Sequence, residues 1–122
     1  MEAWELEFEW LRVRHLVKDS MKQTALPDLN MVLLLIGIQE LGHFQKGFTK
    51  EEKQDLMHLG VCRLLSYEGY YEFEGRDADG WPHYINMIPF TTVGEKSQET
   101  LLVSLAIRYF KDWEAEIAEL TK

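Results

Sequence analysis

The stretch NMVLLLIGIQEL, residues 30–41, decides the fold of this chain. It contains the longest unbroken apolar run in the sequence, residues 31–36. A helix that is apolar on every side must be covered on every side, so this stretch predicts a buried central helix over residues 29–41. Pro27 and Asp28 suit the start of this helix, because proline fits a first turn and an acidic residue favours the positive end of the helix dipole. Gly42 after it is typical of a helix end.

The residues that precede this helix predict another helix over about 4–22. Residues 4–10 alternate between apolar and acidic types, so a strand over 3–10 is the alternative. On a helical wheel the apolar residues form two nearly opposite stripes: Trp4, Phe8, Leu11 and His15, and Leu6, Trp10, Val13, Val17 and Met21. A helix with two stripes is sandwiched between layers or shared with a partner chain. We expect the second stripe (Leu6, Trp10, Val13, Val17) to be left over by the core, which predicts a homodimer.

A capping box marks the start of the third predicted helix. In TKEE, residues 49–52, the Thr49 hydroxyl would accept a hydrogen bond from the Glu52 amide, and the Glu52 carboxylate would reach back to Thr49. The helix is predicted over 50–66. Gly60 within it and Gly37 in the central helix suggest a close crossing of the two helices.

Two aromatic-rich runs flank residues 77–80, Asp-Ala-Asp-Gly, and predict a β-hairpin over about 70–87. Gly80 is expected to take a positive φ. With a four-residue turn, the expected cross-strand pairs are Arg76 with Trp81, Glu74 with His83, and Phe73 with Tyr84.

The last helix is predicted over about 96–120, with a cap at Thr92 or Ser97. Its expected buried stripe consists of Leu102, Leu105, Ala106, Tyr109, Trp113, Ile117 and Leu120. The chain of 122 residues is therefore predicted to be one mostly α domain, 1–122, with four helices around the 29–41 helix and a small hairpin.

Composition narrows the classes of function. The formal net charge is −8, so an anionic partner such as a nucleic acid is not expected. The single cysteine, Cys62, precludes an internal disulfide and fits a reducing compartment. The N-terminus shows no signal-peptide pattern, and no apolar run approaches the roughly 18 to 20 residues that span a bilayer. A cytoplasmic protein without membrane contact is the expectation.

Four residues of the third helix are candidate metal ligands. Glu51, Asp55, His58 and Cys62 follow the spacing i, i+4, i+7, i+11 and fall on one face of the helix. Carboxylate, imidazole and thiolate groups together could bind zinc or iron. The alternative interpretation is that this face of the helix is exposed to solvent and that Cys62 is a small core residue.

A second chemical hint is a small basic group on the first helix. Arg12, Arg14 and His15 could bind an anionic small ligand, or they could pair with acidic neighbours within the fold. No Gly-rich phosphate loop and no His-Glu-x-x-His motif is present in the sequence.

The stretches WLRVRHLVKDS, LLLIGIQELG, FTKEEKQDLMHLG and EGYYEFEGRDADGWPHY resemble those of short, uncharacterised bacterial proteins. The resemblance covers most of the chain. It implies a bacterial, cytoplasmic protein and supplies no activity, cofactor or site residue.

No two cooperating catalytic groups can be assembled from the sequence, so it favours a non-enzymatic binding or interaction protein. The alternatives are a metal-binding protein or small metallohydrolase that uses His58, Cys62 and nearby carboxylates, and a binder of small anions.

Overall fold

The computed structural model describes residues 2–43, 47–90 and 95–121, which form four helices and one hairpin. The elements are α1 (Ala3–Ser20), α2 (Leu29–Leu41), α3 (Lys50–Ser66), β1 (Tyr71–Arg76), β2 (Pro82–Asn86) and α4 (Glu95–Leu120). The predicted mostly α architecture with a small hairpin is confirmed. The alternative of a strand over residues 3–10 is wrong, because α1 is helical from Ala3 onward.

Local signals fix where two of the helices start. The Asp28 side chain accepts a hydrogen bond from the Met31 amide at the start of α2. Thr49 and Glu52 form both hydrogen bonds of the predicted capping box at the start of α3. For α4, the predicted cap at Thr92 lies outside the described residues, and Ser97 lies within the helix rather than before it.

The contact between α2 and α3 is the closest described packing of two helices. A Cβ atom on Gly37 would lie 2.0 Å from the backbone oxygen of Leu56, and one on Gly60 would lie 2.4 Å from that of Leu33. The predicted close crossing is therefore present. The two glycines do not meet each other, because each lies against the backbone of the facing helix. Position numbers rise along one helix as they fall along the other, so the pair is antiparallel.

The main core is built where α1 and α4 pack on the α2–α3 pair. Val13 and Val17 of α1 and Phe110 of α4 are fully buried there. A smaller apolar cluster lies between α2 and the first half of α3, and the hairpin residues Trp81 and Tyr84 cover it. The hairpin is thus held on the helices by apolar contact.

The hairpin has a different register from the predicted one. Phe73 pairs with Tyr84 as expected, but a bulge at Glu74 places Gly75 opposite His83 and Arg76 opposite Pro82. The predicted Glu74–His83 and Arg76–Trp81 pairs are therefore wrong. Gly75 at φ +134° provides the backbone conformation that a bulge needs.

The end of α4 also differs from the predicted amphipathic pattern. Leu105, Ala106 and Tyr109 are buried as expected, whereas Ile117 and Leu120 are exposed. The core therefore ends at about Trp113, and the last two turns of α4 project beyond it.

Among the helices of the described ranges, none combines the length and the apolar character that crossing a membrane would require.

Candidate functional site

A shallow cleft of about 210 Å³ lies between α3 and the hairpin. One wall comes from α3 and carries Asp55, His58 and Cys62, three of the four predicted metal ligands. The other wall is aromatic and comes from the start of β1 and from the turn and β2. The lining residues of the hairpin are Tyr71, Trp81, Pro82, His83 and Tyr84.

The geometry of α3 explains why its three residues share the cleft. Residues 55, 58 and 62 are three and four positions apart, so their side chains lie one above another on the same face of the helix. The Nε2 atom of His58 lies 3.5 Å from the Sγ atom of Cys62. The His58 ring also meets the Tyr71 ring edge to face.

The hairpin wall is ordered by its turn. The Asp77 carboxylate accepts hydrogen bonds from the amides of Asp79 and Trp81. Its second oxygen lies 2.8 Å from Nε2 of His83. The hydrogen bond with His83 is the largest of the interactions that lower the pKa of the Asp77 carboxyl group. His83 is therefore already paired within the hairpin.

Burial raises the pKa of two groups that line the cleft, Cys62 and Tyr84. Cys62 is 4% exposed, and this burial raises the pKa of its thiol to about 11. Burial, with the nearby Glu40 carboxylate, raises the pKa of Tyr84 to about 12. Both groups are protonated at neutral pH, so the Cys62 thiol lacks the lowered pKa that activates a cysteine nucleophile.

The structure brings three of the four predicted metal ligands into one cleft. Glu51 does not line the cleft, whereas Asp55, His58 and Cys62 do. Within residues 2–43, 47–90 and 95–121, no three histidine, cysteine, aspartate or glutamate side chains lie close enough together to hold a metal ion.

A second cleft, of about 310 Å³, lies on the other side of Tyr84 and contains a charged junction between the elements. The Glu40 carboxylate of α2 forms a salt bridge with Nε of Arg63 at 3.1 Å and accepts a hydrogen bond from the Tyr109 hydroxyl at 3.1 Å. Arg76 of β1 donates to the backbone oxygens of Glu40 and Leu41. The charged groups are therefore paired with one another or with backbone oxygens, and their contacts connect α2, α3, α4 and the hairpin.

Within the part of the chain that the structure describes, α1 exposes large apolar side chains along one face. Trp4, Phe8 and Leu11 are 68%, 62% and 43% exposed, and His15 beside them is also exposed. We call these four residues the outer face of α1. Large apolar side chains that share one helix face and remain open to water indicate an interaction surface.

This arrangement reverses the predicted roles of the two stripes. The stripe expected to be left over for a partner, which contains Val13 and Val17, faces the core. In this orientation Glu9 and Arg12 also reach Lys111 and Glu114 of α4.

The basic group of α1 is largely committed to contacts within the chain. Arg12 bonds to Glu9 and Glu114, and these two hydrogen bonds raise its pKa. Nε of Arg14 donates to the backbone oxygen of Pro27 at 2.7 Å. The prediction that Arg12, Arg14 and His15 form an anion site is therefore not supported by a shared pocket in the described residues.

Sequence reasoning did not identify the aromatic wall of the cleft. Its composition was visible in the hairpin, but nothing in the pattern states which side of α3 the hairpin covers. No family model, curated protein or solved structure matches this chain. The residues and their geometry therefore carry the functional argument alone.

Proposed function

We propose that this chain is a small, cytoplasmic, non-enzymatic interaction protein that docks another protein chain on the outer face of α1. A homodimer is the simplest such assembly. The observation that carries the proposal is the exposure of Trp4, Phe8 and Leu11 on one side of a helix whose other side is packed in the core. Exposed aromatic side chains are the usual anchors of protein interfaces.

The chemistry of the clefts agrees with a non-enzymatic role. The thiol of Cys62 is protonated at neutral pH, and His83 and Glu40 are held by partners inside the fold. An activated cysteine nucleophile needs a lowered pKa, and burial raises the pKa of Cys62 instead.

Photo-crosslinking in the native cell tests the docking surface. Phe8 is replaced by a photo-reactive amino acid, and Lys53, an exposed residue of α3, is replaced in a matched control. We expect a covalent adduct at position 8 and none at position 53. Equal yields at the two positions, or no adduct at either, would contradict the proposal.

Metal binding in the α3–hairpin cleft is the second candidate function. His58 and Cys62 are in contact and Asp55 lines the same cleft, so a bound metal would have two adjacent ligands and would have to draw Asp55 towards them. Elemental mass spectrometry of untagged protein, purified without chelator, is the test. Near-stoichiometric zinc or iron that falls in His58→Ala or Cys62→Ala would support a metalloprotein or small metallohydrolase. Metal-free protein with chelator-insensitive stability would eliminate this candidate.

A further inference from the structure

We infer that the chain docked on the outer face of α1 is a second copy of this protein, packed antiparallel across a two-fold axis. The inference rests on the proposed function, because it names the partner of that same face. Three observations carry it: the charge balance of α1, the order of its charges, and the spacing of its outer side chains.

The first observation is the charge balance. The whole chain has a net charge of −8, and two such chains repel one another. The helix α1 has four acidic and three basic residues, which leaves a charge of −1. Two copies of this helix can therefore lie side by side without the repulsion that the rest of the surface would impose.

The second observation is that the charges are segregated along α1. Three of the four acids, Glu5, Glu7 and Glu9, lie in the first half. The bases Arg12, Arg14 and Lys18 lie in the second half together with the fourth acid, Asp19. An antiparallel pair places the acidic half of each copy beside the basic half of the other. A parallel pair would place like charges together, which opposes association.

The third observation is the spacing of the outer face. Trp4, Phe8, Leu11 and His15 are separated by four, three and four positions, which reads the same in both directions. An antiparallel pair can therefore place Phe8 of one copy on Leu11 of the other, and Trp4 on His15. Each contact then occurs twice, as a two-fold interface requires.

The charged residues beside the outer face fit the same alignment. On the helical wheel Glu7 and Arg14 lie along one edge of the face, and Glu5 and Arg12 lie along the other. In an antiparallel two-fold pair, identical edges of the two helices face each other. Glu7 therefore lies near Arg14 of the second copy, which gives two acid–arginine pairs across the interface, whereas Arg12 stays paired with Glu9 and Glu114 of its own chain.

Cysteine pairing tests the alignment directly. Trp4→Cys and His15→Cys are each made in a Cys62→Ala background, with different tags, and are mixed under mild oxidation. We expect a disulfide-linked dimer from the mixture, because positions 4 and 15 lie opposite each other. We expect no linked dimer from Trp4→Cys alone, because two copies of position 4 lie about 16 Å apart along the helix axis.

Charge reversal tests the electrostatic part and needs no oxidation. Glu7→Arg and Arg14→Glu should each raise the dissociation constant of the dimer about tenfold, because each places like charges together twice. An equimolar mixture of the two variants should recover the original constant within about threefold, because the arginine introduced in one copy then faces the glutamate introduced in the other. Circular dichroism of each variant checks that α1 still folds, and Glu7→Gln with Arg14→Gln replaces any variant that does not.

The possible outcomes separate this inference from the proposed function. A linked dimer from Trp4→Cys alone would overturn the antiparallel alignment. A light-scattering mass of 14.4 kDa at high micromolar concentration would overturn the second copy as partner. If the Phe8 adduct then has a mass other than twice 14.4 kDa, the docking surface stands and the self-association fails.

Discussion

Gly37 is where the backbones of α2 and α3 come closest, and its missing side chain sets their separation. A Cβ atom there would meet backbone atoms of Leu56, which cannot swing aside as a side chain could. Gly37→Ala gains about 1 kcal/mol of helix propensity. We expect it to lower the free energy of unfolding overall by about 1 to 3 kcal/mol, because the two helices must separate.

Urea unfolding measures this change. Gln54→Ala, at an exposed position of α3, is the matched control and should shift the free energy of unfolding by less than about 0.5 kcal/mol. A Gly37→Ala protein as stable as the original would show that the helices can move apart without loss.

The raised pKa of Cys62 predicts a loss of stability in alkaline solution. The folded thiol has a pKa of about 11 and the ordinary value is 9.0, so the folded chain keeps a proton that the unfolded chain releases between these values. The contribution of the protonated thiol to the free energy of unfolding is complete below about pH 9 and is lost as the pH rises to about 11. Two pKa units correspond to roughly 2 to 3 kcal/mol.

Urea unfolding from pH 8 to pH 11, compared with Cys62→Ala, isolates this effect from those of the buried tyrosines. The difference in unfolding free energy between the two proteins should be constant up to about pH 9 and then shrink. A difference that stays constant to pH 11 would contradict the burial of the thiol.

At the scale of elements, Arg76 is the residue that joins the hairpin to the helices. Its guanidinium donates to the backbone oxygens of Glu40 and Leu41 at the end of α2, and to that of Gly80 in the turn. Cations are favourable at the C-terminus of a helix because they offset its dipole. Arg76→Gln should therefore loosen the hairpin, with a loss of about 1 kcal/mol for this partly solvated contact.

Amide hydrogen exchange over residues 71–86 measures the loosening. Exchange should be about fivefold faster in Arg76→Gln, whereas Glu72→Gln, an exposed position of the same strand, should leave it unchanged. Equal protection in Arg76→Gln would mean that the apolar contacts of Trp81 and Tyr84 hold the hairpin without help.

The elements differ in how far the sequence predicted them, and the reason is the range of the interactions. The capping box at Thr49 was predicted because it depends on four consecutive residues. At the start of α2 the acidic residue was predicted from the helix dipole, whereas the hydrogen bond that Asp28 accepts from Met31 was not. The hairpin register was predicted only in part. Its bulge brings His83 into contact with Asp77 rather than with Glu74. This contact depends on the geometry of the turn, which the pairing preferences of the residues do not predict.

At the scale of the whole molecule, packing decides what local patterns leave open. The spacing of Asp55, His58 and Cys62 placed them on one face of α3, and the structure shows that this face lines a cleft. The aromatic wall opposite was not predictable, because it depends on where the hairpin docks. The orientation of α1 was mispredicted for a related reason: its two stripes have similar apolar character, and contacts with α4 choose between them.

The two opposite stripes of α1 have a consequence for folding kinetics. While α1 docks on the other helices, a rotation of about half a turn presents Trp4, Phe8 and Leu11 to the core instead of Val13 and Val17. We predict that this alternative is a kinetic trap, because α1 must detach and rotate before the native contacts form. Leu11→Lys removes the apolar centre of the wrong stripe and should speed refolding at low micromolar concentration, with the unfolding rate unchanged. Stopped-flow refolding with equal rates for both proteins would show that α1 docks in a single orientation from the start.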